Sequence, residues 1–439
     1  MTTYTAQRLP KHRGPAGWAA ILGDVPPGPI LDEDTAADVV IVGAGFAGLS
    51  AARRLKQIDA SLDIVVLEAG AIAEGAAGRN SGFMIDLPHD LASDDYAGSG
   101  NDRAMITMNR HAQSFAKAAV EEYAIDQAFF DAAGKVNGAV SDAALAHNHS
   151  YARHLESLGE RSETLDAAQM ADVTGSRYYR AGLYTPGTVM LQPAGYIRGL
   201  AAGLRRGGVR IFENSPARRI ERGRVHATNA SVRCAKVIIA ANGHLESFGI
   251  APGRLMQIFL FATITPELDP SQIGGQPRWG ITPSDPMGTT MRRINGPQGG
   301  NRIVTRTCAT LRSGMQSRRS DLKRAAAIMQ SKFEARFPQF TGLKMAHSWA
   351  GHLCLSRNGV SVTRAIDNGI WSACVQNGLG TARGTLTGIA AAEMAMGKPS
   401  KVAAHFNEEA HPTKLPPRLI RDPGANAILR WKEWRARAE

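Results

Sequence analysis

The stretch Asp38-Val-Val-Ile-Val-Gly-Ala-Gly-Phe-Ala-Gly48 limits what this chain can fold into more than any other segment. An apolar run ends in glycines spaced G-x-G-x-x-G, an amphipathic segment from Leu49 to Leu55 follows, and Ile64-Val-Val-Leu67 is apolar again. The pattern predicts a strand, a tight turn, a helix and a second strand. Gly43 lets the chain turn sharply, Gly45 lets a pyrophosphate approach the backbone, and Gly48 lets helix and strand pack closely. Free amides and the helix dipole would hold the phosphates. Glu68, twenty residues beyond Gly48, falls at the end of the second strand. A carboxylate there accepts hydrogen bonds from ribose hydroxyls and disfavours a 2′-phosphate. The segment predicts a dinucleotide-binding unit; the alternative is a βαβ unit whose glycines serve packing alone.

Bulk properties narrow the rest. The 439 residues, 44% hydrophobic and 21% charged, can bury two cores and exclude disorder of the whole chain. No run approaches the roughly 18 apolar residues that a spanning helix needs. The segment Lys11-His12-Arg13 between Pro10 and Pro15 lacks an apolar signal core, so cytoplasmic residence is expected. Cys234, Cys308, Cys354 and Cys374 form no C-x-x-C pair, so neither a disulfide framework nor a metal site is expected. The net charge of +12 is concentrated: residues 302–336 hold nine Lys or Arg against Asp321 and Glu334, and 205–224 is a second basic stretch. Neither carries interleaved aromatics, which argues for a solvated face over a nucleic-acid surface. An arginine or two aimed at an anionic ligand remains compatible with the pattern.

Organisation follows from the punctuation. Residues 1–37 read as an irregular lead-in with a short helix around Trp18 to Leu22. The loop from Gly70 to Gly82 is too long for a simple turn and marks function. Residues 101–175 read as mostly helical, with a stripe through Met105, Met108, Phe115 and Ala119 assigned to core packing, a short strand near Val136 to Val140, and a capping box at Asp166 and Gln169. A helix over Gln192 to Arg206 and strands over Val209 to Glu213 and Ser231 to Ala241 follow. Leu255 to Thr265, Thr289 to Ile294 and Arg302 to Thr307 read as strands, the last two joined by a hairpin over Asn295 to Asn301, before a helix over Ser320 to Phe337. A strand over Gly369 to Val375, a second glycine-rich loop over Asn377 to Gly384 and an Ala-rich helix over Leu386 to Met396 bring nucleotide-binding architecture back near the end.

With these motifs in place, the chain resembles the flavin-dependent amine oxidoreductases of the D-amino-acid oxidase superfamily, with the glycine oxidase, sarcosine oxidase and gamma-glutamylputrescine oxidase branch nearest. The matches are the fingerprint, Gly78-Arg-Asn-Ser-Gly82, Gln192-Pro193, Ile211-Phe-Glu-Asn-Ser-Pro216, Ala240-Ala-Asn-Gly243, Trp349-Ala-Gly351 and the loop at Gly378. The resemblance implies an α/β fold, a Rossmann-like FAD-binding domain with an interleaved, strand-rich α+β substrate domain. It divides the chain into a lead-in (1–37), an FAD-binding domain (38–100, 176–250, 346–411), a substrate domain (101–175, 251–345) and a tail (412–439).

It also implies roles. Gly43, Gly45, Phe46, Ala47 and Gly48 would face the FAD pyrophosphate, and Glu68 with Ala69 the adenosine ribose. Gly78, Arg79, Asn80, Ser81 and Gly82 would lie beside the flavin, Ala217 by the adenine, and Ala241 and Gly243 on the crossover strand. Gly378, Leu379, Gly380 and Thr381 would aim amides at the pyrimidine edge, where reduction places negative charge. Relatives commonly carry Gly-His-Gly where this chain has Gly378-Leu379-Gly380, which leaves oxidase against dehydrogenase, and O2 against another acceptor, open. Gly351-His-Leu-Cys354 matches the spacing at which sarcosine oxidase binds its flavin covalently, so a thioether at Cys354 is one reading and a small buried hydrophobe the other.

The reaction implied is removal of a hydride equivalent from an amine-bearing carbon to flavin N5, then hydrolysis of the imine. Arg292, Arg293 and Arg306 lie on alternating strands, and one facing the pocket would favour an amino acid or another anionic amine. Trp349 is a candidate apolar wall; His352 is a pocket candidate that, like His89, reads first as a structural histidine. An NAD-dependent dehydrogenase, a flavoprotein acting on modified tRNA bases, and a non-catalytic flavin-binding subunit, oligomeric or docking through its tail, are the rivals; Ile428, Leu429, Trp431 and Trp434 of that tail equally fit packing on the chain's own body, the commoner case.

Overall fold

The computed structural model describes residues 2–88, 101–285, 287–398 and 400–439. Val39, Val40 and Ile41 are wholly buried, so the strand Thr35–Val42 is covered on both faces, as a β-branched run with no polar alternation requires. It pairs in parallel with Ile64–Leu67 on one side and with Ser231–Ile239 on the other. Arg210–Phe212 continues the sheet beyond Ile64–Leu67, and Ile370–Cys374 joins Ser231–Ile239 in parallel. Among the described residues, nine strands make this sheet. The helices Phe46–Ile58 and Ala382–Ala395 pack on it, the first through Leu49, Ala51, Ala52 and Leu55.

A second sheet of eight strands runs in the order His347–Ser356, Leu255–Ile264, Arg302–Leu311, Thr290–Ile294, Trp279–Pro283, Lys135–Ala139, Ala181–Thr185, Glu163–Leu165. The helix Arg319–Arg336 covers one face, with Ala325 and Met329 against Phe259, Phe261, Cys308 and Ala350. Ala181–Thr185 and His347–Ser356 belong to this sheet by hydrogen bonding, although both fall in ranges expected for the nucleotide-binding unit. The hairpin over Asn295–Asn301 joins antiparallel strands, and the second of these runs to Leu311, past the expected end at Thr307. Asp166 and Gln169 form a reciprocal capping box on the helix Ala167–Thr174.

Three expectations need correction. The lead-in is not wholly irregular: Thr3–Thr5 adds an antiparallel strand beside Arg219–Glu221. On the helix Asp102–Glu122, Met105, Met108 and Phe115 are only half-buried, and Ile106, Ala112, Ala116, Ala119 and Val120 fill the core. Small side chains serve there because this helix packs closely on Ala382–Ala395. The tail folds back on its own chain as the helix Arg418–Arg435, but of Ile428, Leu429, Trp431 and Trp434 only Leu429 packs on the body, and the other three are exposed. Among the described residues, no helix is long and apolar enough to cross a membrane. His89 lies outside the described residues.

Candidate active site

The two glycine-rich loops meet along one continuous cavity. Its walls include Gly43 to Ala47, Glu68, Ala69, Ala217 and Ala241 from the first nucleotide-binding segments and Gly378, Gly380 and Gly384 from the second loop, with Arg306 of the second sheet; a Cβ on Gly384 would lie 3.1 Å from Phe46 Cβ, so the two loops adjoin. Gly43 has φ +108°, and a Cβ on it would lie 2.7 Å from the Ala240 carbonyl oxygen. A Cβ on Gly48 would lie 1.8 Å from the Gly43 oxygen. Those two glycines are therefore demanded by backbone contact. Gly45 differs, since its Cβ would meet nothing nearer than Ala77 at 3.6 Å; it borders the cavity. Gly45 is also the N-cap of Phe46–Ile58 and no side chain caps that helix, so its first-turn amides are free for an anionic guest. An extended dinucleotide fits this cradle.

Glu68 accepts from the amides of Ala44 at 2.8 Å, Ala69 at 2.9 Å and Gly70 at 3.3 Å. Burial pushes its carboxyl pKa up while the three amides pull it back, and the net direction is upward. With three acceptor positions occupied, a lone pair remains for a hydroxyl donor.

The segments from Ala76 to Ala77 and from Arg79 to Ser81 form another wall. Arg79 donates to the carbonyls of Glu74 at 2.6 Å, Arg13 at 3.2 Å and Ala350 at 3.3 Å, so its guanidinium fastens the lead-in, this loop and the second sheet together. Burial lowers its pKa to about 10. Asn80 closes the turn by accepting from the Gly82 amide at 2.7 Å, and the Trp18 indole donates to the Asn80 carbonyl at 2.8 Å. Thr381 donates its hydroxyl to the Phe83 carbonyl at 2.8 Å, which ties the second glycine loop to the first wall. Just before that loop Val375 has φ +66°, a strained setting for a β-branched residue, with its amide bonded to the Asn242 side chain at 3.2 Å.

The arginine candidates separate. Arg292 is buried away from the cavity, donating to the carbonyls of Leu191 at 2.6 Å and Ser81 at 3.1 Å, with its guanidinium over the Trp18 and Phe83 rings. Burial lowers its pKa to about 9. Its contacts make it a clamp behind the wall, not a substrate ligand. Arg293 is likewise spent on Asn301 and on backbone carbonyls. Arg306 does reach the cavity, and its one hydrogen-bond partner among the described residues is Thr290 Oγ1 at 3.3 Å. No carboxylate among the described residues comes within ion-pair distance of it, and desolvation lowers its pKa.

Trp349 is also corrected. Its ring is fully buried against Gly17, where a Cβ would lie 2.3 Å from the indole, and its N–H donates to the Arg79 carbonyl at 3.1 Å. It braces the wall from behind. His352 does line the cavity, stacked on Phe259 with ring centroids 4.9 Å apart. Gln257 commits its amide nitrogen to the Gly243 carbonyl and the Glu246 carboxylate, so its oxygen must accept from His352 Nε2–H at 2.8 Å. His352 is therefore the Nε2–H tautomer, and burial with His244 nearby drives its pKa far down.

Cys354 borders the same cavity, but its thiol joins the apolar cluster around Val237, Leu245 and Leu255, and burial raises its pKa well above the usual value. Gly48, Gly78, Gly82, Gly243, Leu379 and Thr381 stand behind the lining, with contacts that shape it. Sequence reasoning missed the lead-in's contribution, Ala6, Arg8, Leu9, Pro10 and His12, and also Leu260 and His244. The Lys11-His12-Arg13 cluster between prolines was the one available signal.

The comparisons agree with this geometry. Residues 38–394 match the family model described as FAD dependent oxidoreductase. The chain is 25% identical over 413 residues to gamma-glutamylputrescine oxidoreductase of Escherichia coli, covering 90% of this chain and 92% of that one. It is 23% identical over 410 residues to a probable oxidoreductase OrdL of Rhizobium meliloti, covering 90% and 91%. Among solved structures, glycine oxidase from Geobacillus kaustophilus superposes with a TM-score of 0.68 at 16% identity, covering 85% of this chain and 99% of that one, a likeness of fold. A glycine cradle shaped for a dinucleotide, joined by a second glycine-rich loop on one cavity and matched over most of the chain, places this protein in the FAD-dependent oxidoreductase family.

Proposed function

We propose that this enzyme oxidises a small primary or secondary amine, and within that class an amino acid or another amine bearing a carboxylate. Arg306 carries the reading. A half-buried guanidinium that reaches the cavity, with a single hydroxyl as partner and no carboxylate beside it among the described residues, is costly unless an anion completes it. A substrate carboxylate does so through two parallel N–H bonds. The relative in Escherichia coli, named for gamma-glutamylputrescine, and the structural neighbour named for glycine support the amine class.

Bound FAD supplies a two-electron acceptor for the carbon bearing the amine, and water hydrolyses the imine left behind. The chain's own groups do the rest. Arg306 fixes the carboxylate, which orients the reacting carbon. Leu260 and Ala262, also in the lining, keep the wall apolar and strengthen that grip by excluding water. His352 stays uncharged, so it adds no repulsion to a cationic amine that must shed its proton before reaction. Rates should then rise with pH until the bound ammonium is deprotonated.

The test is anaerobic mixing of the holoenzyme with a panel of neutral amines and amino acids, following bleaching near about 450 nm. Arg306→Met should raise KM for carboxylate-bearing substrates by about a hundredfold, the scale of a lost buried charge pair. Neutral amines should shift by no more than about threefold. Bleaching by no amine would sink the amine reading; equal sensitivity of both classes would sink only the role given to Arg306.

A further inference from the structure

Of the seven large hydrophobic side chains exposed on the described surface, five sit on the tail helix Arg418–Arg435: Leu419, Ile420, Ile428, Trp431 and Trp434, each more than half exposed. Their placement is ordered. Ile420, Gly424, Ala427, Trp431 and Trp434 recur at three- and four-residue intervals and form one outward stripe. The opposite face is held to the body, largely by polar bonds. Asn426 accepts from the Leu311 amide at 3.0 Å and donates to its carbonyl at 3.1 Å, capping the end of the strand Arg302–Leu311. Glu433 accepts from the Ala309 amide at 2.9 Å and pairs with Arg324. Ala425 and Leu429 join the small cluster of Ile258, Ala309 and Leu311, against which Leu260 and Leu353 of the cavity wall also pack.

The helix is thus clamped flat with its apolar face outward, which is costly in water and reads as a site for a partner. Charge selects the partner. Arg418, Lys432, Arg435 and Arg437 are exposed beside the stripe, on a chain of net charge +12. Arg435 lies over the Trp431 ring and Arg437 over the Trp434 ring, at 5.0 and 4.6 Å. A second copy of the chain docking here would bring these cations against their own kind. An anionic bilayer surface takes the tryptophans at its headgroup boundary and the cations among its phosphates.

We propose that this helix docks the folded enzyme reversibly on anionic lipid surfaces. The test uses FAD-loaded full chain, floated with phosphatidylcholine vesicles with or without phosphatidylglycerol. Binding should appear with phosphatidylglycerol, weaken as salt is raised, and shift tryptophan emission to the blue. Trp431→Ser with Trp434→Ser should weaken it at least about tenfold, while retained FAD and an unchanged melting temperature show that the fold is intact. Lys432→Glu should weaken binding about fivefold or more, on anionic vesicles only. The proposal is overturned if the wild-type chain stays soluble beside anionic vesicles, if the double variant binds as well, or if the chain is a dimer that the double variant splits.

Discussion

Gly388 rests directly on the backbone of Ala47: a Cβ on it would lie 2.2 Å from that residue's carbonyl oxygen and 3.0 Å from the amide nitrogen of Ala51. The helices that begin at the two glycine loops therefore approach backbone to backbone, and this contact makes one cavity out of two distant segments. Gly388→Ala sets two effects against each other. Alanine gains about 1 kcal/mol of helix propensity, while overpacking costs about 1–3 kcal/mol. Because the clash is with main chain on a helix packed from several sides, the cost should win. The variant should melt lower and bind FAD more weakly; a higher melting temperature would mean the two helices can slide apart freely.

Trp349→Phe tests the brace behind the cavity wall. The substitution keeps most of the ring that packs on Gly17 but removes the only donor, among the described residues, to the buried Arg79 carbonyl. An unpaired buried acceptor costs about 1–3 kcal/mol. The urea midpoint should fall accordingly. FAD affinity should fall with it, since Arg79, Asn80 and Ser81 lie on the loop that the indole steadies. Loss of stability with unchanged FAD affinity would show that Trp349 serves the core alone.

Cys354→Ala bears on how FAD is held. The thiol sits in an apolar cluster with its pKa pushed well above the usual value, so the thiolate that a thioether would require is scarce. Acid-denatured wild-type protein should release all its yellow colour, and Cys354→Ala should bind FAD about as tightly. Colour that stays with the denatured wild-type chain and leaves with the variant would establish the covalent link.

What was legible in the sequence was what the backbone alone demands. Gly43 and Gly48 could be assigned because each is pressed against a carbonyl, and the alternation of strands in the second sheet could be read from side-chain periodicity. The arginines show where such reading stops. Thr290 pairs with Arg306 and Arg292 with Val304, so Arg292 and Arg306 project from the same face of the sheet. Their roles diverge because Trp18, Phe83 and the Ser81 carbonyl close over Arg292, while Arg306 is left facing the cavity. Those covering residues come from elsewhere in the chain, and nothing in strand alternation announces them. His12 was hidden for a related reason: a Pro- and Gly-rich lead-in has no period from which to infer what it covers.

The histidines at that end predict how stability depends on pH. His12, His244 and His352 all line the cavity, and the His244 and His352 rings meet edge to face with centroids 5.2 Å apart. Burial lowers the pKa of His12 and of His244 from 6.5 to about 4, and that of His352 well below 6.5. A histidine whose folded pKa lies below its unfolded value takes up its proton mainly on unfolding. Its stabilising contribution is complete above 6.5, declines as pH falls below that value, and levels off once pH passes the folded pKa. The melting temperature should therefore drop steeply between pH 6.5 and pH 4, by more than any one histidine accounts for. His244→Asn, which removes one titrating ring without introducing a charge, should flatten that slope. A slope that is the same in the variant would mean that other groups drive the acid transition.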